Sequence, residues 1–283
     1  MSASTTGTGD GTGPATAAGA GAGAGRANIA DILCIGCQKG STSWLHSVLN
    51  CHPATWSFPN SEPVTSNDKE AHFWDWNHAR GVDWYRALLA PPEPGLLTMD
   101  FTPEYAFLTP EQIAECRALN PTARVIYILR DPLARAVSAL RMHLLWEHGS
   151  GWQGALDHGP ELWRLAAEAK LDQHGDYAAN LARWRRAYPD IQVINYEDFH
   201  TDRAARVAEV MRRLGLDPAA ITGEAAARLE GLMAVKIWQS ERFRLTRPAL
   251  LFLHGLTQGW RAQAEAELGM RFTEGTRLLD GWL

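Results

Sequence analysis

The stretch that most limits what this chain can fold into is "CIGCQKGSTSWLHSVL", Cys34 to Leu49. A short apolar run leads into a loop with glycines, a lysine and three hydroxyl residues, and then into a helical pattern. A strand that hands over to a helix through such a loop makes an anion site. The free N–H groups of the first turn point outward, and the helix dipole adds positive potential. Gly36 and Gly40 permit tight backbone, Ser41, Thr42 and Ser43 offer hydroxyls, and Lys39 supplies a full charge. The nucleotide-kinase pattern G-x-x-x-x-G-K-[ST] is absent, because no lysine follows Gly40. Lys39 stands before that glycine, so it approaches the anion from the other side of the loop.

Short apolar runs then alternate with helical patterns. "DILCIG" (31–36), "GLLTMD" (95–100), "RVIYIL" (124–129) and "IQVINY" (191–196) read as strands. Helices are expected from Ser41 to Asn50, from about Pro110 to Leu119, from Pro132 onward with Asp131 as N-cap, and from Arg203 to Leu214. Leu133, Val137, Leu140 and Leu144 form one apolar stripe on the third of these. Strands alternating with helices predict an α/β fold in three layers, with a mostly parallel central sheet flanked by helices. The length of 283 residues and the 46% hydrophobic content are enough for one such domain with a full core. No internal repeat or linker separates Asp31 from Leu283, so 29–283 reads as a single domain. The Gly/Ala/Ser/Thr-rich residues 1–28 cannot bury enough apolar surface to offset ordering entropy and read as a disordered tail.

Several function classes are disfavoured at once. A net charge of -5 gives no reason to expect nucleic-acid binding. No apolar run approaches the ~20 residues of a membrane-spanning helix, and no signal-peptide pattern is present, so the expected location is cytoplasmic. The four cysteines (Cys34, Cys37, Cys51 and Cys116) show no disulfide framework. The C-x-x-C they contain lies partly inside a strand and lacks a second ligand pair for zinc.

A second anion site is placed by "RVIYILRDPLARAVSAL", in which Arg130 stands just past a strand and Ser138 in the second turn of the next helix. Ligands of open α/β sheets collect at the carboxyl ends of strands, so both loops can face one crevice. Two separated anion sites suit a ligand with two phosphate-like groups.

At these residues the chain resembles the sulfotransferases that use 3′-phosphoadenosine 5′-phosphosulfate (PAPS). "IGCQKGSTSW" is similar to their 5′-phosphosulfate loop and "YILRDPLARAVSAL" to their 3′-phosphate motif. "KEAHFW" (69–74), "DFTPEY" (100–105) and "GDYAANLARWRRAYPDIQVINYEDF" (175–199) extend the likeness over most of 31–216. The K-E-x-H-F form resembles the heparan sulfate N- and O-sulfotransferase branch and its bacterial relatives. The resemblance implies a P-loop-NTPase-like sulfotransferase fold and PAPS as co-substrate, with no metal required. It further implies sulfuryl transfer to a hydroxyl, less readily an amine, of a small natural product or carbohydrate.

Sulfuryl transfer, like phosphoryl transfer, mostly needs positioning and charge stabilisation. By the resemblance, Lys39 steadies the leaving phosphate, and Gly40, Ser41, Thr42, Ser43 and Trp44 carry the 5′-phosphate. The Trp44 side chain reads equally well as core. Arg130 and Ser138 bind the 3′-phosphate, as guanidinium fork and hydroxyl donor. Glu70 is the family-matched general base, with His72 its rival because imidazole has the better intrinsic pKa. Lys69 is placed to help bind the transferring sulfonate. "QSERFRLTRP" offers Arg242, Arg244 and Arg247 without the family's K-G-R pattern, and Arg244 is taken as the cofactor contact. Tyr177, Leu181 and Trp184, spaced i, i+4 and i+7, read as core. Trp74, Trp76 and Trp84 line either an acceptor pocket or the core. A nucleotide-dependent small-molecule kinase and a non-catalytic nucleotide-binding module are the competing readings. A kinase needs Mg²⁺, whereas transfer from PAPS does not.

Overall fold

The structure is a computed structural model in which residues 27–59, 68–234 and 244–281 are described. Its strands are β1 (Ile32–Cys34), β2 (Thr55–Trp56), β3 (Leu97–Asp100), β4 (Arg124–Leu129), β5 (Ala155–Leu156), β6 (Gln192–Asn195) and β7 (Arg244–Leu245). The helices are α1 (Thr42–Leu49), α2 (Val82–Leu88), α3 (Pro110–Leu119), α4 (Pro132–His148), α5 (Pro160–Glu168) and α6 (Leu171–Gly175) in the first part of the chain. They continue with α7 (Tyr177–Ala187), α8 (Asp198–Thr201), α9 (Arg203–Arg213), α10 (Gly223–Ala234), α11 (Arg247–Leu268) and α12 (Glu274–Asp280).

Five strands form a parallel sheet in the order β2-β3-β1-β4-β6. The continuous apolar run of β4 follows from burial on both faces. Val125, Tyr127 and Leu129 pack with Tyr177, Leu181 and Trp184 of α7 on one side. Ile126 and Ile128 pack with Leu45 and Val48 of α1 and Val210 of α9 on the other. Alternate side chains of a strand point to opposite faces, so a strand covered twice must be apolar throughout. The expected three-layer α/β fold is what the chain adopts.

β1 neighbours both β3 and β4, so the strand order reverses beside it. In an open parallel sheet that switch point opens a crevice above the carboxyl ends of the strands. The loops after β1, β3 and β4 all end there. The α4 cap is formed as expected: the Asp131 carboxylate accepts from the N–H of Leu133 at 2.9 Å and of Ala134 at 3.2 Å. The α4 stripe of Leu133, Val137, Leu140 and Leu144 buries against Leu162 and Leu165 of α5 and Leu250 and Leu253 of α11.

Several elements escaped the sequence reading, among them the short strands β2, β5 and β7 and the helices α2, α5, α10, α11 and α12. β2 and the β5–β7 pair are two-residue strands, too short for any alternation to show. The 22-residue α11 lies in the region where family resemblance fades. Most of the Gly/Ala/Ser/Thr-rich tail, residues 1–26, and Arg242 lie outside the described residues. Among the described residues, no helix is long and apolar enough to cross a membrane.

Candidate active site

The β1 ladder continues into the loop, with the Ile35 N–H bonding the Ile126 carbonyl at 3.0 Å and the Cys37 N–H the Ile128 carbonyl at 2.7 Å. The chain then turns sharply: Lys39 and Ser41 both take φ 68°, left-handed backbone that costs a side-chain-bearing residue on the order of 1–3 kcal/mol. Between them only glycine fits, because a Cβ on Gly40 would sit 2.9 Å from both the carbonyl oxygen and Sγ of Cys37. Strain of this kind, held by packing, marks a loop built to present its backbone. The Ser41 hydroxyl makes no capping bond, and its carbonyl takes the Leu45 N–H at 3.0 Å, so α1 opens with its first-turn amides toward the crevice.

Lys39 is largely buried, with Nζ 3.7 Å from Sδ of Met142 on α4. Burial, and then the like charges of Arg130 and Lys69, push its pKa down to about 8, against the pull of Glu70. Three cations thus converge with too little negative charge among them, and an anion would relieve the imbalance.

Arg130 extends from the end of β4 into the same crevice. Its Nη1 donates to the Lys39 carbonyl at 2.9 Å, which joins the loops of the two expected anion sites. Its Nε donates to Glu274 Oε2 at 2.8 Å, and its Nη2 pairs with the other oxygen of that carboxylate. The guanidinium lies 4.6 Å from the centre of the Tyr196 ring. Its pKa is raised: burial disfavours the charge, but Glu274 outweighs it. Tyr177 is core, as expected, yet its hydroxyl also donates to the Arg130 carbonyl at 2.7 Å. Ser138 is buried in the second turn of α4. The Trp44 indole turns inward, its Nε1 bonding the Leu232 carbonyl at 2.8 Å, which leaves its backbone N–H as the group for an anion. Arg244 is exposed on β7, in register with Ala155.

On the far side of β1, residues 69–72 run along the end of β3, with the Phe101 N–H bonding the Lys69 carbonyl at 2.7 Å. The buried Asp100 carboxylate anchors this segment by accepting from the Ala71 N–H at 3.2 Å, Tyr85 Oη at 2.9 Å and Tyr105 Oη at 3.0 Å. Lys69 Nζ contacts Glu70 Oε1 and donates to the Phe101 carbonyl at 3.2 Å. His72 stands next to the other carboxylate oxygen, with Nε2 3.4 Å from Glu70 Oε2. Its Nδ1 lies 2.7 Å from Oδ2 of Asp75, and its ring stacks on Trp76 at 3.4 Å.

These partners settle the charge of His72. Burial opposes protonation, but the bonds to Asp75 and Glu70 win and raise its pKa to about 9. At neutral pH the ring is an imidazolium held between two carboxylates. Asp75→Asn is expected to lower the His72 titration midpoint well below 9, read from ring 13C shifts across pH. An unchanged midpoint would remove Asp75 as the cause. Asp75 was missed by the sequence reading, though its i+3 spacing from His72 was a usable signal. His72, Asp75 and Glu104 also bring ligand atoms within 4.8 Å of one another. A cation there would have to compete with the proton that His72 retains up to about 9. Of the three tryptophans, Trp74 is core, Trp84 is half-buried and Trp76 is exposed.

Comparison with known proteins matches residues 30–231 to the sulfotransferase domain family. Human heparan sulfate glucosamine 3-O-sulfotransferase 6 is 30% identical over 193 residues, covering 68% of this chain and 54% of that protein. Human heparan sulfate glucosamine 3-O-sulfotransferase 3B1 is 30% identical over 185 residues, covering 64% of this chain and 45% of that protein. The chain therefore spans about half the length of these curated relatives. In three dimensions it resembles a sulfotransferase from Alicyclobacillus acidocaldarius, at a TM-score of 0.62 and 20% identity over 87% of this chain and 98% of that one.

Proposed function

This chain belongs to the sulfotransferase domain family, and from that premise we propose that it moves a sulfuryl group from PAPS to a hydroxyl. The observation that carries the reading is the 2.9 Å bond from Arg130 Nη1 to the Lys39 carbonyl. It brings the Arg130 guanidinium against the backbone of the Lys39 loop, so the two loops lie side by side at adjacent strand ends, which suits the two anionic ends of a 3′,5′-bisphosphate nucleotide. The backbone N–H groups from Ser41 to Trp44 hold the 5′-phosphosulfate, with Gly40 closing the turn through its N–H bond to the Cys37 carbonyl at 2.9 Å, while Arg130 and Ser138 take the 3′-phosphate.

Glu70 is the base in this reading. His72 is already protonated at neutral pH and cannot accept a second proton, so it orients the Glu70 carboxylate instead. Glu70 takes the acceptor hydroxyl proton as the oxygen bonds to sulfur. The bond from sulfur to the 5′-phosphate oxygen breaks, and Lys39 sits where the leaving phosphate gains charge. The acceptor is a sugar or other small molecule with a free hydroxyl. The names of the human relatives, which specify a glucosamine, support the sugar, and the exposed Trp76 ring beside His72 suits the face of one.

The donor half is tested by binding. The product 3′-phosphoadenosine 5′-phosphate should bind far better than AMP. Arg130→Ala should cut that preference by about 1.5–3 kcal/mol, the worth of a charged hydrogen bond. Equal affinity for the two nucleotides in the intact protein, measured by calorimetry, would defeat the reading. The acceptor is found by offering sugars and phenols with sulfur-labelled PAPS and following label transfer. Transfer of label from γ-labelled ATP with Mg²⁺ would point to a kinase instead.

A further inference from the structure

We infer that Glu274 gates the donor site: its carboxylate holds the Arg130 fork in the place of a 3′-phosphate, and a donor with that phosphate must displace α12 to bind. The inference rests on the donor reading above. All three Arg130 nitrogens already have an acceptor, Nε and Nη2 on Glu274 and Nη1 on the Lys39 carbonyl. The Arg130 and Glu274 side chains are only 14% and 25% exposed. A phosphate brought to this fork would meet the carboxylate with little water to screen the repulsion, so the two anions exclude each other.

The way α12 is seated suits a segment that can leave. Glu197 accepts from the N–H of Thr273 at 2.7 Å and of Glu274 at 3.0 Å. Arg277 reaches the same carboxylate at 3.5 Å. Asn195 Nδ2 donates to the Arg271 carbonyl at 3.0 Å. These are polar contacts that water can replace. Phe272 is buried, but within α12 itself only Gly275 is. Phe272 therefore anchors the segment at one end, and the partly buried Leu278 and Leu279, packed against the core of α4 and α11, anchor it at the other. The first turn of α12 between them is held by charge. Gly275 is required for that seating, because a Cβ there would lie 2.3 Å from Oδ1 of Asp131, the buried cap of α4. The N-cap of the helix that carries Ser138 and the segment carrying Glu274 are thus in contact through one glycine.

The test compares wild type, Glu274→Gln and Gly275→Ala for binding of 3′-phosphoadenosine 5′-phosphate and of AMP, together with trypsin cleavage at Arg277. Both variants should bind the bisphosphate ~10-fold tighter or more, with AMP affinity unchanged, since only the 3′-phosphate meets the carboxylate. In the wild type, the bisphosphate but not AMP should speed cleavage at Arg277. Glu274→Gln keeps the shape and removes the charge, so it decides the matter even if the glycine variant folds poorly. If Glu274→Gln weakens bisphosphate binding or leaves it unaltered, Glu274 is a buttress for Arg130 and the inference is overturned. If all three proteins bind the bisphosphate no better than AMP, the donor reading falls and takes this inference with it.

Discussion

Lys39→Ala lowers turnover by ~10²–10³-fold, with a smaller loss of donor affinity, if the lysine meets charge that develops as the S–O bond breaks. The ground state already carries phosphate charge, which the amides after Gly40 and the Arg130 guanidinium can hold without the lysine. What the variant lacks is the response to the additional charge on the leaving oxygen. The pH dependence follows from the burial and neighbouring cations that bring Lys39 down to about 8. Its useful form is the ammonium, present below about 8 and lost as pH rises through that value. The donor kcat/KM, which reports the free protein, should therefore fall on the alkaline side from about pH 8. Bound anions favour the ammonium, so the same break in kcat should come at higher pH. A variant that binds the donor tenfold worse yet turns over normally would make Lys39 an anchor only.

The fold was legible where a physical demand left a trace in residue type. β4 had to be apolar on both faces, and "RVIYIL" says so at the bounds the structure gives. Asp131 and Pro132 announce the start of α4, and Gly40 is the one residue the turn before α1 accepts. The first-turn residues of α1, Arg130 and Ser138 were placed at the crevice by their position after strands. What stayed hidden depends on distance in the chain. Glu274 meets Arg130 from 144 residues away, and nothing in "RFTEGTRLLDGW" marks that glutamate among other surface acids. The partnership of His72 with Asp75 was hidden for another reason. Spacing suggests contact, but only burial and a left-handed backbone at His72 (φ 49°) turn the ring between the two carboxylates. Its raised pKa, which favours Glu70 in the proposed reaction, is therefore a property of the folded segment rather than of the motif.

Glu70→Gln is expected to reduce turnover by ~10²–10⁴, the range for losing a general base. The amide keeps the shape and can still receive a bond from Lys69 Nζ, so the segment over β3 stays in place. Neither anion loop is touched, and bisphosphate binding should survive. His72→Ala removes the imidazolium that stands 3.4 Å from Glu70 and covers the Trp76 ring. It should cost much less than Glu70→Gln, because the basic oxygen remains. The alternative predicts a different pH profile. A histidine base with its pKa near 9 is protonated and idle at neutral pH, and the rate would climb as pH rises through about 9. With Glu70 as base, no climb through about 9 is expected, and the donor kcat/KM turns down from about 8 as Lys39 loses its proton. A rate that climbs through about 9 and vanishes in His72→Ala, while Glu70→Gln stays active, would move the base to the histidine.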